Sequence, residues 1–293
     1  MRTFYILAIF FTVSCLQACN IINPKEATPT YVHVDSFQFT NSNPAKYGSP
    51  SHNITCVWVY YNDNPVGVFD LPTTFPVLTT GNTGKLLLVP GITIDGLSAY
   101  QTQYPFYTGD TSTLTTNPGK ITGYTPKTGY NTSATVGYIW DFETSNDFQN
   151  ITGDSSIIRV TDPALVGTGN GVASGYIHLV SPDTNSENIT QKKVPFTIGA
   201  DYIEISYKNS MPFYVGVEVF DASGNIVTSS PEYVIGLNPS TTWKKMYVSL
   251  ITQASKYLSL FPGSQFRLAI KAELPGGQAD GYVLLDNIKY ITN

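Results

Sequence analysis

The most constraining feature of this chain is a two-residue alternation of apolar and polar side chains, repeated in short runs. The clearest run sets Phe266, Leu268, Ile270 and Ala272 against Arg267, Ala269, Lys271 and Glu273. Phe213, Val215, Val217 and Val219 alternate in the same way, as do Ile203, Ile205 and Tyr207. A period of two places one apolar face on a strand, and a continuous apolar row on each strand is what sandwich packing requires. A helical period is offered by one segment, Leu250–Leu260, where Ile251, Ala254, Tyr257 and Leu258 share a face. The expected fold class is therefore all-β.

A chain of 293 residues is long enough for two domains. Residues 30–120 read as an N-terminal β-sandwich of six or seven strands. Within it, Ile54–Tyr61 and Val66–Leu71 form a hairpin through the turn residues Asn62 to Pro65. The apolar face shifts from Val32 and Val34 to Phe37 and Phe39, which predicts a bulge near Asp35 and Ser36. Leu86–Pro90 and Ile92–Ile94 read as separate strands divided by Pro90-Gly91. Gly, Thr and Pro then accumulate, and residues 121–135 read as a linker. Alternation resumes at Tyr138, so residues 136–293 form a second domain of about nine strands, a number that suits a jelly roll. Its last strand, Gly281–Ile291, carries one carboxylate, Asp286, among apolar residues. A buried charge needs a partner, a hydrogen bond or a metal.

Residues 1–19 stand apart. Met1-Arg2 supplies a short cationic start and Phe4–Val13 an apolar run too short for an ordinary membrane span, the shape of a secretory signal. It ends in Leu16-Gln17-Ala18-Cys19, which resembles a bacterial lipobox, although Gln17 departs from the usual small or β-branched residue. The resemblance implies a diacylglyceryl group on Cys19, residues 20–29 as a tether, and a membrane anchor by lipid alone. Cys15 then leaves with the signal and Cys56 has no disulfide partner, so it reads as a small buried hydrophobe.

The net charge is −5 with no run of Lys or Arg, which argues against nucleic acid as a partner. Charged residues make up 13% of the chain, so Thr, Ser, Asn, Gly and Tyr must build the polar surface. Catalytic signatures are missing from the sequence: no Gly-x-Ser-x-Gly, His-Glu-x-x-His or phosphate loop occurs. Glycoside hydrolysis needs two suitably spaced carboxylates and no motif, so it stays as a lesser alternative.

Further resemblances follow from ordered motifs. Across residues 28–110, Val57-Trp58-Val59, Gly67, Leu71-Pro72, Phe75–Leu78, Pro90-Gly91-Ile92 and Tyr104–Tyr107 look like those of Bacteroidota cell-envelope lipoproteins. The Gly…Leu-Pro…Pro-Gly-Ile hairpin also resembles carboxypeptidase regulatory-like domains, immunoglobulin-like sandwiches that serve as structural modules. An early strand ending in Trp140-Asp141-Phe142-Glu143, with Asp286-Asn287 on the last strand, resembles galactose-binding-like jelly rolls of carbohydrate-binding modules. That family implies a structural Ca²⁺ held by Glu143 and Asp286, with Asp141 as a supplement. The competing reading leaves Asp286 bonded to loop amides. Sugar binding needs aromatic platforms, and Tyr202 and Tyr214 lie opposite the apolar rows. Together these imply a non-catalytic, lipid-anchored envelope protein, placed in the outer membrane, whose C-terminal jelly roll takes glycan. The alternative is an assembly subunit that docks an envelope protein partner.

Overall fold

The computed structural model describes residues 27–94, 100–153, 155–167 and 171–293. The signal segment and Cys19 lie outside the described residues. Ten strands build the first half: β1 Thr30–Val34, β2 Gln38–Phe39, β3 Cys56–Tyr61, β4 Asn64–Asp70, β5 Thr73–Val77, β6 Thr83–Thr93, β7 Gln101–Gln103, β8 Asp110–Thr115, β9 Ile121–Gly123 and β10 Lys127–Thr128. A four-residue helix, α1, spans Pro44–Tyr47. The sheet β5-β1-β9 faces a second sheet, β4-β3-β6, whose β6 also pairs with β7 and β8. Val32, Val34, Val57, Val59, Phe75, Leu86 and Leu88 fill the space between them.

Local chemistry explains the details. The β3–β4 hairpin turns through Asn62 and Asp63, both at positive φ (49° and 65°), as a two-residue loop matched to strand twist requires. The face shift after Val34 is an outright break: β2 leaves the β1 sheet and pairs with β10. Pro90-Gly91 does not divide a strand, because β6 runs unbroken through it. A side chain at Gly91 would meet Cys56 Sγ at 2.4 Å, so glycine permits close approach there. Cys56 is buried, and burial followed by the charge of Asp70 pushes its thiol up to about 11. It is a packing residue rather than a nucleophile.

The second half contains β11 Thr135–Trp140, β12 Phe148–Gly153, β13 Ile158–Val160, β14 Ser174–Val180, β15 Asn185–Thr190, β16 Val194–Pro195, β17 Asp201–Asn209, β18 Phe213–Phe220, β19 Glu232–Leu237, β20 Ser240–Ser249, β21 Gln265–Glu273 and β22 Asp280–Thr292. They form a jelly-roll β-sandwich of two sheets, β13-β14-β22-β17-β20 with β11 on β22, and β12-β15-β21-β18-β19 with β16 on β21. The closing strand β22 is central. It pairs with β17 along its length, with β14 over its first half and with β11 over its second. The expected helix, α2, spans Ile251–Leu260 and buries Ala254 and Tyr257. Its buried face includes Gln253 rather than Ile251, which is 37% exposed.

The segment 121–135 corrects the linker expectation. β9 adds to β1 in parallel and β10 pairs with β2. Tyr130 is buried and Ala134 is inaccessible. The high Gly, Thr and Pro content reflects short strands and turns packed on the first half, not a free connection.

The two halves meet through an aromatic core. Tyr47, Tyr104, Phe106, Tyr107 and Tyr130 of the first pack on Tyr202, Tyr247 and Ile291 of the second. At its centre lies Glu204, fully buried, accepting hydrogen bonds from the hydroxyls of Tyr104 (2.9 Å) and Tyr130 (2.8 Å). Lys245 Nζ is 2.7 Å from the Glu204 carboxylate and Lys289 Nζ is 3.9 Å from it. Lys289 also donates to the carbonyl of Ser49 at 2.6 Å. Burial pulls the Glu204 carboxyl up, but the two ammonium groups outweigh it and hold it below its usual range. Burial, then the like charge of Lys245, pushes Lys289 down to about 7 against the pull of Glu204.

Candidate functional site

The jelly roll has two outer faces. The first half covers part of one of them, the β17–β20–β22 face, and this decides the fate of Tyr202. That residue, expected as an outward platform, is 3% exposed and packs edge-on against Tyr104 at 5.3 Å. Its outward direction along β17 is as expected. What lies outward is another sheet rather than solvent.

The other outer face belongs to β12-β15-β21-β18-β19, and Tyr214 stands on it, half-buried. Across this face, Tyr233 on β19 lies opposite Gly216 on β18, Gly216 opposite Ala269 on β21, and Ala269 opposite Ile189 on β15. The Tyr233 hydroxyl nevertheless donates to the Glu187 carboxylate on β15. Strands are spaced by about 4.8 Å, so three such intervals exceed the reach of one side chain, and Tyr233 and Glu187 must both lean across the face to meet. A Cβ at Gly216 would meet the β19 backbone at Glu232 O (2.5 Å) and Tyr233 Cα (2.8 Å), so glycine is needed where β19 bulges against β18. Ala269 is inaccessible although it points outward. Burial, then the Glu187 carboxylate, raises the Tyr233 hydroxyl far above its usual range, so it stays a donor.

Tyr214 forms the second ring, 6.1 Å from Tyr233 and inclined by 65°. Gly236 lets it lean: a Cβ there would meet the Tyr214 ring at 2.8 Å. Lys271 Nζ is 5.9 Å from both ring centroids and 2.6 Å from Glu273 Oε1. The Tyr214 hydroxyl bonds the same carboxylate. The Lys271 contact holds Glu273 below the usual carboxylate range and raises Lys271, so both are ionised at neutral pH. Two residues from Gly216 and Ala269, Glu218 and Arg267 face each other at 3.8 Å. The result is two mutually inclined rings and convergent polar groups on one outer face.

Sequence reasoning named Tyr214 and missed Tyr233. The signal for the rest was present, since Lys271 and Glu273 are the polar row of the clearest strand. Tyr233 could not be placed without knowing that β19 pairs with β18 at Gly216.

Of the carboxylates expected around a cation, Asp286 lies within electrostatic reach of Glu143 and Asp141. Asp286 sits at a bulge in β22, where Asn287 adopts φ 47°. It is inaccessible and accepts hydrogen bonds from Asn287 N at 2.6 Å and Ser174 Oγ at 3.4 Å. Burial, then the charges of Glu143 and Asp141, pushes Asp286 up to about 8. Glu143 accepts from Val172 N, and Asp141 accepts from Glu143 N. Arg159 donates to the carbonyls of Phe142 (2.6 Å) and Glu143 (2.7 Å), bracing the segment. Among the described residues no three His, Cys, Asp or Glu side chains are gathered closely enough to hold a metal. An oxygen-only set with an under-compensated buried carboxylate fits a hard cation, which would need backbone oxygens or water to complete its shell.

No protein-family model matches the chain, and no curated protein matches it. Among solved structures, it is similar to TmCBM61 in complex with β-1,4-galactotriose, at 13% identity and a TM-score of 0.35, over 52% of this chain and 94% of that one. It is also similar to a family 11 carbohydrate-binding module of a Clostridium thermocellum cellulosomal cellulase, at 13% identity and a TM-score of 0.34, over 53% and 94% of the two chains. Against tailspike protein 4 of bacteriophage CBA120 the identity is 12% and the TM-score 0.38, over 51% of this chain. There the match spans 20% of the tailspike chain.

Proposed function

We propose that this protein is a non-catalytic glycan-binding protein of the bacterial cell envelope, anchored in the outer membrane through lipid on Cys19. The observation that carries the binding reading is Tyr233, on the outer face of the second jelly-roll sheet beside Tyr214 and tied there by its bond to Glu187. A ring held in advance by such a bond loses little freedom when a sugar stacks on it. Tyr214, Lys271 and Glu273 supply directional polar groups beside it, the combination that pyranose recognition needs. At this face a general acid would need a raised carboxyl, whereas Lys271 holds Glu273 low.

Tyr233→Ala is expected to weaken retention of the full chain on polysaccharide by about tenfold or more, as loss of a central aromatic anchor does. Affinity electrophoresis in gels containing galactan, xylan or mixed-linkage glucan measures this. Equal retardation of parent and variant in every gel would sink the reading. The anchor is tested separately. Cys19→Ala should move the protein from the detergent-extracted membrane fraction to a soluble or precursor form, and an acyl label absent from the parent would refute it.

We also propose a structural Ca²⁺ held with the help of Asp286, Glu143 and Asp141. When bound, the ion would supply the countercharge that this carboxylate cluster lacks. Asp286, at the bulge, would join the closing strand to it, while Glu143 would hold the start of the jelly roll.

A further inference from the structure

The polar groups beside the two rings carry more than a general affinity for sugar. Lys271 and Glu273 lie two residues apart on β21, so both point outward, and they meet at 2.6 Å. Their side chains are 33% and 42% exposed, within reach of a ligand resting on the rings. The ammonium has three N–H groups, one of them used by Glu273, and the carboxylate accepts from Lys271 and Tyr214 with lone pairs left over. Resting on the glycan reading above, we infer that this pair reads a vicinal diol on a neutral sugar ring: Lys271 donates to one hydroxyl oxygen and Glu273 accepts from the hydroxyl beside it.

The geometry selects the diol. Two gauche hydroxyls on adjacent ring carbons hold their oxygens at nearly the spacing of a hydrogen-bonded donor and acceptor, and so match the Lys271–Glu273 pair. Trans-diaxial hydroxyls point to opposite sides of the ring and cannot reach both. Lys271 Nζ is equidistant from the two ring centroids, so the reading groups stand at the junction of the platform rather than at its edge.

Charge selects a neutral ring. The face carries Glu187, Glu218 and Glu273 against Arg267, Lys271 and, over the Phe220 ring that Arg267 also touches, Lys193, so its charges balance. Glu187 is engaged by Tyr233, Glu273 by Lys271, and Glu218 faces Arg267. A uronate would find no net positive charge beside the rings and would have to break the Lys271–Glu273 contact to gain Lys271 as a counterion. A neutral diol bridges that contact without replacing it. Discrimination then comes from unpaired polar groups left by the wrong ligand, which is the stronger form of selectivity.

The test uses the full chain and four polymers: β-1,4-galactan, xylan and mixed-linkage glucan as neutral probes, and polygalacturonate as the anionic one. The expected result is Tyr233-dependent binding to at least one neutral polymer, no binding to polygalacturonate, and little change with added salt. Lys271→Met and Glu273→Ala should each weaken neutral binding by about tenfold or more, a loss of ~1.4 kcal/mol. Unchanged melting temperatures would tie those losses to the face. Tyr233-dependent binding that favours polygalacturonate, or that survives both substitutions, overturns the diol reading and leaves the glycan reading standing. If no polymer is held through Tyr233, both are overturned.

Discussion

Glu204→Gln is expected to remove about 3–5 kcal/mol of folding stability, the usual cost of breaking a buried ion pair from one side. The carboxylate is the one anion between two buried ammonium groups, and it accepts from Tyr104 and Tyr130 across the junction of the two halves. Glutamine keeps the shape and loses the charge, so Lys245 and Lys289 are left facing each other in a low-dielectric site. Chemical denaturation of the parent and variant measures the loss, and a difference below about 1 kcal/mol would show that the junction contributes little. Adding Lys289→Met to Glu204→Gln should recover part of it, because one of the two unpaired charges is then gone.

The same cluster sets a pH dependence. Lys289 has a folded value of about 7 against an unfolded value of ~10.4. Between those limits the unfolded chain binds the extra proton, so this residue makes stability rise with pH from about 7 upward. The cost is fully present below that window. Lys289→Met should flatten the slope between about pH 7 and 9, where the buried tyrosines still hold their protons in both states. A parent and variant with parallel pH profiles would contradict the assignment.

Calcium is expected to stabilise the parent chain by about 2.7 kcal/mol at a free concentration one hundred times its dissociation constant. Asp286→Asn should abolish that response. The sign in the absence of the ion is opposite and makes the comparison decisive. Asp286 has a folded value of about 8, above the ~3.9 of an unfolded aspartate. The folded chain therefore keeps a proton that the unfolded chain releases, and stability falls as pH rises from about 4 to 8. An ion that displaces this proton should flatten that fall, and Asp286→Asn should flatten it without any ion. Melting curves at pH 7.5 with calcium and with chelator separate the cases. Superimposed curves for the parent would leave Asp286 as a buried acid hydrogen-bonded by Asn287 N, with Asp286→Asn neutral or stabilising.

Much of the architecture was legible because strands write a period of two into the sequence. The run Phe266–Glu273 assigns its own inner and outer faces, and the structure keeps them as β21. The apolar stretch around Asp286 reads as the closing strand, and β22 is the most paired strand of its sheet. The helix is legible from Ile251, Ala254, Tyr257 and Leu258, of which the structure buries Ala254 and Tyr257 and leaves Ile251 exposed. The segment 121–135 was misread because β9 and β10 are two or three residues long. Strands that short carry no period, and their pairing with β1 and β2 is a long-range event.

The sequence by itself determined that this chain is all-β, which side chains turn outward on its regular strands, and that Asp286 is an acid in an apolar strand. Those properties are local, set by alternation and by the cost of burying charge. Only the tertiary structure decided which outward faces meet solvent. Tyr202 and Tyr214 both point outward, yet the first half of the chain covers one and leaves the other open. It likewise decided that Tyr233 crosses the sheet to Glu187, because strand order and register place Gly216 and Ala269 between them. Neighbours across a sheet are chosen by pairing between distant segments, and no local pattern in the chain encodes that choice.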